Sequence, residues 1–351
     1  MSSLQVSLAV AGGLVLAAVV AHGAWKARRN ALLRPQPDSE PLPEPTGASD
    51  GRPDTDTERL EPSFDGPLSP LPVAQHERRP GLDALIDVIA PITLEGLVSG
   101  DAALAAMPPT RRAGGKPFAI EGQNDATATW EFPVAGQRYN AFQAGVQLAN
   151  RTGHLNEIEY SEFVMKAQDF ADAVNGAPDF PDMIEQVARA RELDQFASEH
   201  DAYLGFVLRA RQAAWSPGYV QQHAARQGFV VGLLPGRLVL PADEAGQPPV
   251  LGLTFDTQAA LAEDPEQSAI RSLTLALDVP HVSRSVQPFV RMREIAVALA
   301  ASMDGVITDD NGQVIPADSL DVIGADLEQL YDTLDAHDLS AGSPQARRLF
   351  S

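Results

Sequence analysis

The sequence predicts an α+β protein with an N-terminal transmembrane helix, a disordered linker and a C-terminal split β-α-β domain. The antiparallel sheet of that domain is expected to be covered by helices on one face. Three observations lead to this class: an uncharged apolar run near the N-terminus, a proline-rich acidic tract behind it, and two strictly alternating strands followed by a long amphipathic helix near the C-terminus.

The apolar run covers residues 4–25, which contain no Lys, Arg, Asp or Glu. As a helix these residues would extend about 33 Å, enough to cross the hydrocarbon core of a bilayer. A secretory signal peptide carries its positive charges before the apolar run, whereas here Lys26, Arg28 and Arg29 follow it. A buried core helix would not be expected next to a disordered tract. The pattern therefore favours a membrane anchor, with the short N-terminus outside and the C-terminal side in the cytoplasm.

The segment 26–80 is predicted to be a Pro-rich acidic disordered linker. Within it, residues 35–80 hold eleven prolines and ten acidic residues against four arginines. Such a composition buries too little apolar surface to offset the entropy of ordering the chain. We expect this linker to hold a folded body away from the membrane.

Composition excludes several classes of function. The formal net charge is −21, which argues against a nucleic-acid binder because phosphate neutralisation requires Lys and Arg. The absence of cysteine excludes disulfides, Cys-ligated zinc and iron–sulfur clusters.

Motifs for catalysis, cofactors or metals are missing from the sequence. GGKP at 114–117 lacks the Ser or Thr and the leading glycine of a P-loop. The seven histidines show no metal-binding spacing. DDNG at 309–312 lacks the alternating acidic spacing of a calcium loop, so it is predicted to be a hairpin turn. We expect no cofactor and no metal, and a protein that is not an enzyme.

The globular part begins with an additional α+β module at 81–200. Strands are expected at 116–122 and 138–150, and a helix at 178–200. The stretch 157–174 is ambiguous between a strand followed by a helix and one helix.

The second globular part, 201–340, has clearer patterning. Strands are expected at 202–210, 229–240, 250–256 and 271–280, and the last two alternate strictly between apolar and small or polar residues. A helix at 216–228 begins with Ser216 and Pro217. The long helix 287–305 precedes a hairpin at 306–315, and a helix follows that hairpin.

The order of anchor, linker and split β-α-β module resembles the ZipA family of membrane-anchored, FtsZ-binding cell-division proteins. The resemblance is strongest over 202–334, in GFVVG, VLGLTFD, RSLTLALDVP and FVRMREIAVALAASMDGVITDDNGQVIPADSL. It implies an inner-membrane adaptor that binds the C-terminal tail of FtsZ and tethers the division ring to the cytoplasmic membrane. It also implies a single-pass protein with residues 1–3 in the periplasm and the body in the cytoplasm; the reverse topology is an alternative.

In that family the helix-free sheet face binds the FtsZ tail in a shallow apolar groove, a peptide-in-groove mode. Carried over by strand position, the groove would comprise the side chains that alternate with the core-facing ones: Val207, Arg209, Leu234, Val239, Gly252, Thr254, Thr274 and Ala276. Several of these are smaller than the family's bulkier apolar residues. An ordinary solvated sheet face is the alternative interpretation.

The module at 81–200 departs from the family, which has linker there. Its element order echoes that of the C-terminal half, so a diverged repeat is one hypothesis. Its aromatic residues Trp130, Phe132, Tyr139 and Phe142 are either core residues or a second docking surface. An alternative function is an envelope-associated enzyme or regulator with a functional site in this module.

Overall fold

The structure of the protein is a computed structural model that describes residues 81–261 and 269–351. The predicted anchor and linker lie outside the described residues. Among the residues described, no helix is both long and apolar enough to span a bilayer. All of them belong to one compact unit.

A first antiparallel sheet forms the N-terminal half. Its main strands run in the spatial order β2-β3-β5-β1-β8, with β4 beside β3. The strands are β1 (Asp87–Ser99), β2 (Arg112–Ala113), β3 (Lys116–Asn124), β4 (Trp130–Glu131), β5 (Arg138–Gln147) and β8 (Gly176–Pro178), and a separate small ladder joins β6 (Ala149–Asn150) and β7 (Gly153–His154). The helices of this half are α1 (Gly100–Ala106), α2 (Glu157–Ala173) and α3 (Met183–His200).

The ambiguous stretch 157–174 is one helix, α2. Its start is fixed by a capping box, because the Asn156 side chain accepts from the backbone N–H of Glu159 while the Glu159 carboxylate accepts from that of Asn156. Phe163 and Phe170 are fully buried against the sheet. Apolar residues at helical spacing therefore place one face of α2 on the core, and the alternative of a strand followed by a helix is wrong.

A second antiparallel sheet forms the C-terminal half, in the order β10-β11-β12-β13-β9-β14. The strands are β9 (Tyr203–Ala210), β10 (Val230–Val231), β11 (Arg237–Leu240), β12 (Leu251–Phe255), β13 (Ser272–Asp278) and β14 (Gly305–Thr308). The helices are α4 (Pro217–Arg226), α5 (Thr257–Ala260), α6 (Pro288–Ser302) and α7 (Ala317–Ala336), and a last helix, α8 (Pro344–Leu349), follows. A mixed α+β architecture with antiparallel sheets is confirmed.

The strictly alternating strands behave as their pattern predicts. Leu253 and Leu275 are fully buried beside Met292 and Leu299 of α6. Their neighbours along the strands point to the opposite face, because successive side chains of a strand alternate. The helices of this half therefore cover one face of the second sheet.

The two halves share one topology. Strands β2, β3, β5, β1 and β8 occupy the places that β11, β12, β13, β9 and β14 occupy in the second sheet. Two residues after the end of each helix α2 and α6 lies a residue of left-handed backbone conformation, Asn175 (φ 53°) and Asp304 (φ 49°). In both halves a glycine follows and starts the edge strand, as Gly176 and Gly305.

Helix α8 holds the two halves together. Leu349 and Phe350 are buried in the core of the second half. The Arg348 guanidinium lies 2.6 Å from the Asp87 carboxylate, and the Gln147 amide donates to the Arg348 carbonyl at 2.7 Å. On the other side, a ring nitrogen of His281 lies 2.8 Å from the Phe350 carbonyl oxygen. The last residues therefore contact both halves.

Candidate functional site

The candidate site is the face of the second sheet opposite its helices. Strand pairing arranges its side chains in two adjacent rows that cross the sheet. One row consists of Val230, Val239, Gly252, Ala276 and Gly205, and the next of Arg237, Thr254, Thr274, Val207 and Thr308.

The structure brings most of the predicted site residues together. Six of them lie in these two rows: Val207, Val239, Gly252, Thr254, Thr274 and Ala276. Arg209 belongs to the following row, where it pairs with Ser272 and Val306. Leu234 lies in the turn between β10 and β11, which carries it to the edge of this face with its side chain exposed.

The floor of the face is made of small residues. A Cβ placed on Gly252 would meet no described atom within 4 Å, and one on Gly205 would meet only the Thr274 methyl group, at 3.7 Å. Ala276 is buried although it lies outside the hydrophobic core of this half. The centre of the face is thus a shallow trough whose floor can be approached closely by another backbone.

Larger apolar side chains stand at the margin of the trough and are exposed. They are Tyr203, Val230, Leu233 and Leu234. Exposed apolar residues grouped on one surface are typical of a binding site for an apolar segment. Sequence reasoning missed Gly205, Tyr203, Val230 and Leu233. The apolar run 229–234 before the Pro235–Gly236 turn, and the alternation in β9, were signals that could have found them.

Two arginines frame the trough. Arg237 is an exposed residue at one end of its row. Arg209 lies beside the turn 309–312 that follows β14, because a Cβ placed on Gly312 would be 3.3 Å from the guanidinium carbon of Arg209. The Thr308 hydroxyl donates to the Val207 carbonyl at 3.2 Å, which fastens the edge strand to the trough. The site can therefore offer apolar contact at its centre and positive charge at its ends.

The acidic stretch 309–312 is a hairpin turn. The Gly312 N–H donates to the Asp309 carbonyl at 3.0 Å, and the Asp309 carboxylate accepts from the Gln313 N–H at 2.7 Å. Gly312 has a φ of 83°, which glycine adopts without strain. The turn prediction is confirmed. Within the described ranges, no group of three or more His, Asp or Glu side chains could hold a metal ion.

Lys116 is a buried titratable side chain of the first half. This burial lowers the pKa of its ammonium group. Its Nζ donates to Asn150 Oδ1 at 2.7 Å, to Thr152 Oγ1 at 3.3 Å and to the Gly153 carbonyl. These three acceptors engage all three hydrogens of the ammonium group. Lys116 therefore joins β3 to the β6–β7 ladder rather than facing a substrate.

The four aromatic residues of the first half divide into two kinds. Tyr139 and Phe142 are fully buried, and their ring centroids lie 5.5 Å apart with the ring planes inclined at 41°. Trp130 is 42% exposed, and Phe132 is half-buried under the Arg111 guanidinium. The first pair is core, and only the second pair is accessible to a partner.

Comparisons with known proteins give one family. Residues 254–325 match the ZipA C-terminal FtsZ-binding domain, a stretch that runs from the end of β12 into α7 and includes Thr254, Thr274 and Ala276. No curated protein matches the chain. Among solved structures, two variants of berberine bridge enzyme share 9% identity with a TM-score of 0.16. The alignment covers 75% of this chain and 56% of theirs.

Proposed function

We propose that this chain, whose residues 254–325 match the ZipA C-terminal FtsZ-binding domain, belongs to the ZipA family and is an inner-membrane adaptor of bacterial cell division. It binds the C-terminal tail of FtsZ in the trough of the second sheet and tethers the division ring to the cytoplasmic membrane. The family consists of non-enzymatic adaptors, and the mechanism proposed here is binding without chemistry.

One observation carries the proposal: the family match, residues 254–325, includes part of the trough. Thr254, Thr274 and Ala276 of the matched stretch form its floor, and exposed Val230, Leu233 and Leu234 stand beside it. An extended tail can place apolar side chains against these residues while its backbone passes over Gly252. The eight predicted site residues are therefore proposed as contacts of the tail.

The trough is shallow, so we expect a single tail to bind weakly. Its floor offers little apolar area to remove from water, and area removed from water sets the hydrophobic gain. Many adaptor molecules on one membrane facing many tails on one filament would raise the overall strength of attachment without any new contact.

The test is a calorimetric titration of the full chain, in lipid nanodiscs, with a synthetic peptide of the FtsZ C-terminal tail. Thr254→Arg places a long charged side chain on the trough floor and should weaken binding at least tenfold. Gln222→Arg is the matched control, since Gln222 is exposed on α4 on the helical side and its replacement should leave binding unchanged. Equal affinity of the wild type and Thr254→Arg would contradict the proposal.

The membrane arrangement is a separate part of the proposal. Residues 4–25 span the inner membrane, residues 1–3 lie in the periplasm, and Lys26, Arg28 and Arg29 hold the following chain in the cytoplasm. Support comes from the charge pattern alone. A fluorescent protein fused after Ser351 should fluoresce in the cytoplasm. Activity of a phosphatase fused at the same place would reveal the reverse topology.

A further inference from the structure

The first sheet carries a cleft on the face opposite its helices. Its volume is about 340 Å³. The side chains that matter for its chemistry are Arg111, Phe132, Gln147, Arg347 and Arg348, and it is also lined by Gly81, Leu82, Pro117, Phe118, Ala119 and Ser351. Peptide binding at this cleft rests on the proposed function, because the trough of the second sheet shows by analogy how this fold would bind a peptide.

This cleft adjoins the counterpart of the trough. Gly176, in the edge strand after α2, pairs with Leu94 of β1. Gly305, in the edge strand after α6, pairs with Ala210 of β9. If Leu94 and Ala210 are equivalent, the residues five positions before them in β1 and β9, Ile89 and Gly205, are equivalent too. Cross-strand pairing then aligns two rows, Ile89–Gly145–Ala119 in the first sheet and Gly205–Ala276–Gly252 in the second.

A short piece of the chain itself already lies on this face. A Cβ on Gly145 would stand 2.4 Å from Leu82 Cδ2, so the Leu82 side chain rests directly on that glycine. The Leu82 N–H donates to the Glu121 carboxylate at 3.0 Å, and the Gln143 amide donates to the same carboxylate at 2.9 Å. A backbone segment with an apolar side chain therefore fits the equivalent row, and the cleft is next to it.

The cleft is positively charged in a protein whose formal net charge is −21. Arg348 is already paired with Asp87. Arg111 and Arg347 form no ion pair within the ranges that the structure describes; Arg347 donates to the Gln247 amide oxygen at 2.7 Å, and the Arg111 guanidinium lies 6.0 Å from the centre of the Phe132 ring. Two guanidinium groups are thus available to a carboxylate.

Gln147 adds a buried acceptor without a donor. Its residue is 1% exposed, and its Nε2 donates to the carbonyls of Ala149 and Arg348, both at 2.7 Å. Its Oε1 has no hydrogen-bond partner among the described residues. Buried polar atoms are nearly always paired, and a peptide backbone N–H would supply the missing donor.

We propose that this cleft binds an acidic, extended peptide segment of a partner protein. A carboxylate of the peptide lies between Arg111 and Arg347, an apolar side chain packs against Phe132, and a backbone N–H donates to Gln147 Oε1. The protein then has two peptide sites on equivalent sheet faces, one apolar and one basic. The half-buried Phe132 thereby belongs to a docking surface.

The experiment uses the full chain in nanodiscs and a fluorescein-labelled probe of sequence Glu-Leu-Asp-Glu-Leu, read by fluorescence anisotropy. A probe with lysine in place of each acidic residue is the charge control. We expect the acidic probe alone to bind, and Arg111→Ala/Arg347→Ala to weaken it at least about tenfold, as loss of charge-assisted hydrogen bonds would. Arg138→Ala/Arg226→Ala removes the same charge at exposed positions elsewhere and should leave binding unchanged.

Equal weakening by both double variants would mean non-specific attraction and would overturn the proposal. So would equal binding of the two probes. If the acidic probe binds only after residues 38–65 are deleted, the occupant is the chain's own acidic tract and the partner assignment is wrong. Thr254→Arg should leave the acidic probe bound, so failure of this site and failure of the FtsZ site are separately visible.

Discussion

The ion pair between Arg348 and Asp87 should make a large contribution to stability, because its carboxylate is fully buried. The Asp87 side chain is 0% exposed and that of Arg348 is 19% exposed. Removing one partner of a buried pair leaves an uncompensated charge, which costs about 3–5 kcal/mol. Since Arg348 reaches solvent, we expect Arg348→Ala to lower the free energy of unfolding at pH 7 by about 3 kcal/mol, the lower end of that range.

The size of this loss should depend on pH. Burial raises the pKa of Asp87 above its ordinary value of 3.8, and the Arg348 guanidinium opposes that rise. Without Arg348 the pKa rises further. Between the ordinary and the raised value, the native state holds a proton that the unfolded state releases, so stability falls as the pH rises through this window. At pH 4 the variant can protonate Asp87, and the loss should shrink to about 1 kcal/mol.

Urea unfolding of the full chain at pH 4 and pH 7 measures both values. Arg347→Ala, the neighbouring residue on α8, is the control and should cost less than about 0.5 kcal/mol at either pH. Asp87→Asn combined with Arg348→Ala should recover part of the loss, since the amide carries no charge. A loss for Arg348→Ala that equals the control, or that is the same at both pH values, would refute the reasoning.

Five further substitutions test the packing, each by urea unfolding. The Tyr331 hydroxyl is buried without a hydrogen-bond partner among the described residues, and burial raises its pKa to about 12. Tyr331→Phe should therefore increase the free energy of unfolding by up to about 1 kcal/mol. Tyr160→Phe loses a hydrogen bond and should decrease the free energy of unfolding by about 1 kcal/mol. Lys116→Met should cost about 2–3 kcal/mol because it leaves buried acceptors unpaired. Asp304→Gly should increase the free energy of unfolding by about 0.5–1 kcal/mol, because glycine adopts a positive φ without strain. Asn175→Gly should give a similar increase if the ends of α2 and α6 are equivalent. Changes of opposite sign would argue against that equivalence.

Local patterns predicted which side chains lie together on the helix-free face of the second sheet. Alternation in β12 and β13 separated core-facing Leu253 and Leu275 from Thr254 and Thr274, and the structure pairs the two threonines across the strands. A period of two fixes which face a residue belongs to as soon as one face is known to be buried. Gly205 was missed although the alternation in β9 places it on the same face as Val207, which was predicted.

Other features could not be read from local patterns. Helix α8 has only six residues, too few for a periodic signal, and its place is set by contacts with residues far away in the sequence, such as Asp87 and His281. The likeness of the halves is equally hidden, since the corresponding α2 and α6 bury different residues, such as Phe170 and Leu299. A core specifies volume and apolarity more strictly than residue identity, so topology can persist after sequence similarity has faded.

The same fold uses its uncovered face differently in the two halves, and single residues explain the difference. In the first sheet Gly145 lacks a Cβ, which leaves room for Leu82, and Glu121 supplies an acceptor for the Leu82 N–H. In the second sheet the equivalent positions are Ala276 and Thr254. The methyl group of Ala276 raises the floor, and Thr254 carries no charge. One face therefore holds a segment of its own chain beside a basic cleft, while the other presents an apolar trough suited to a segment from another molecule.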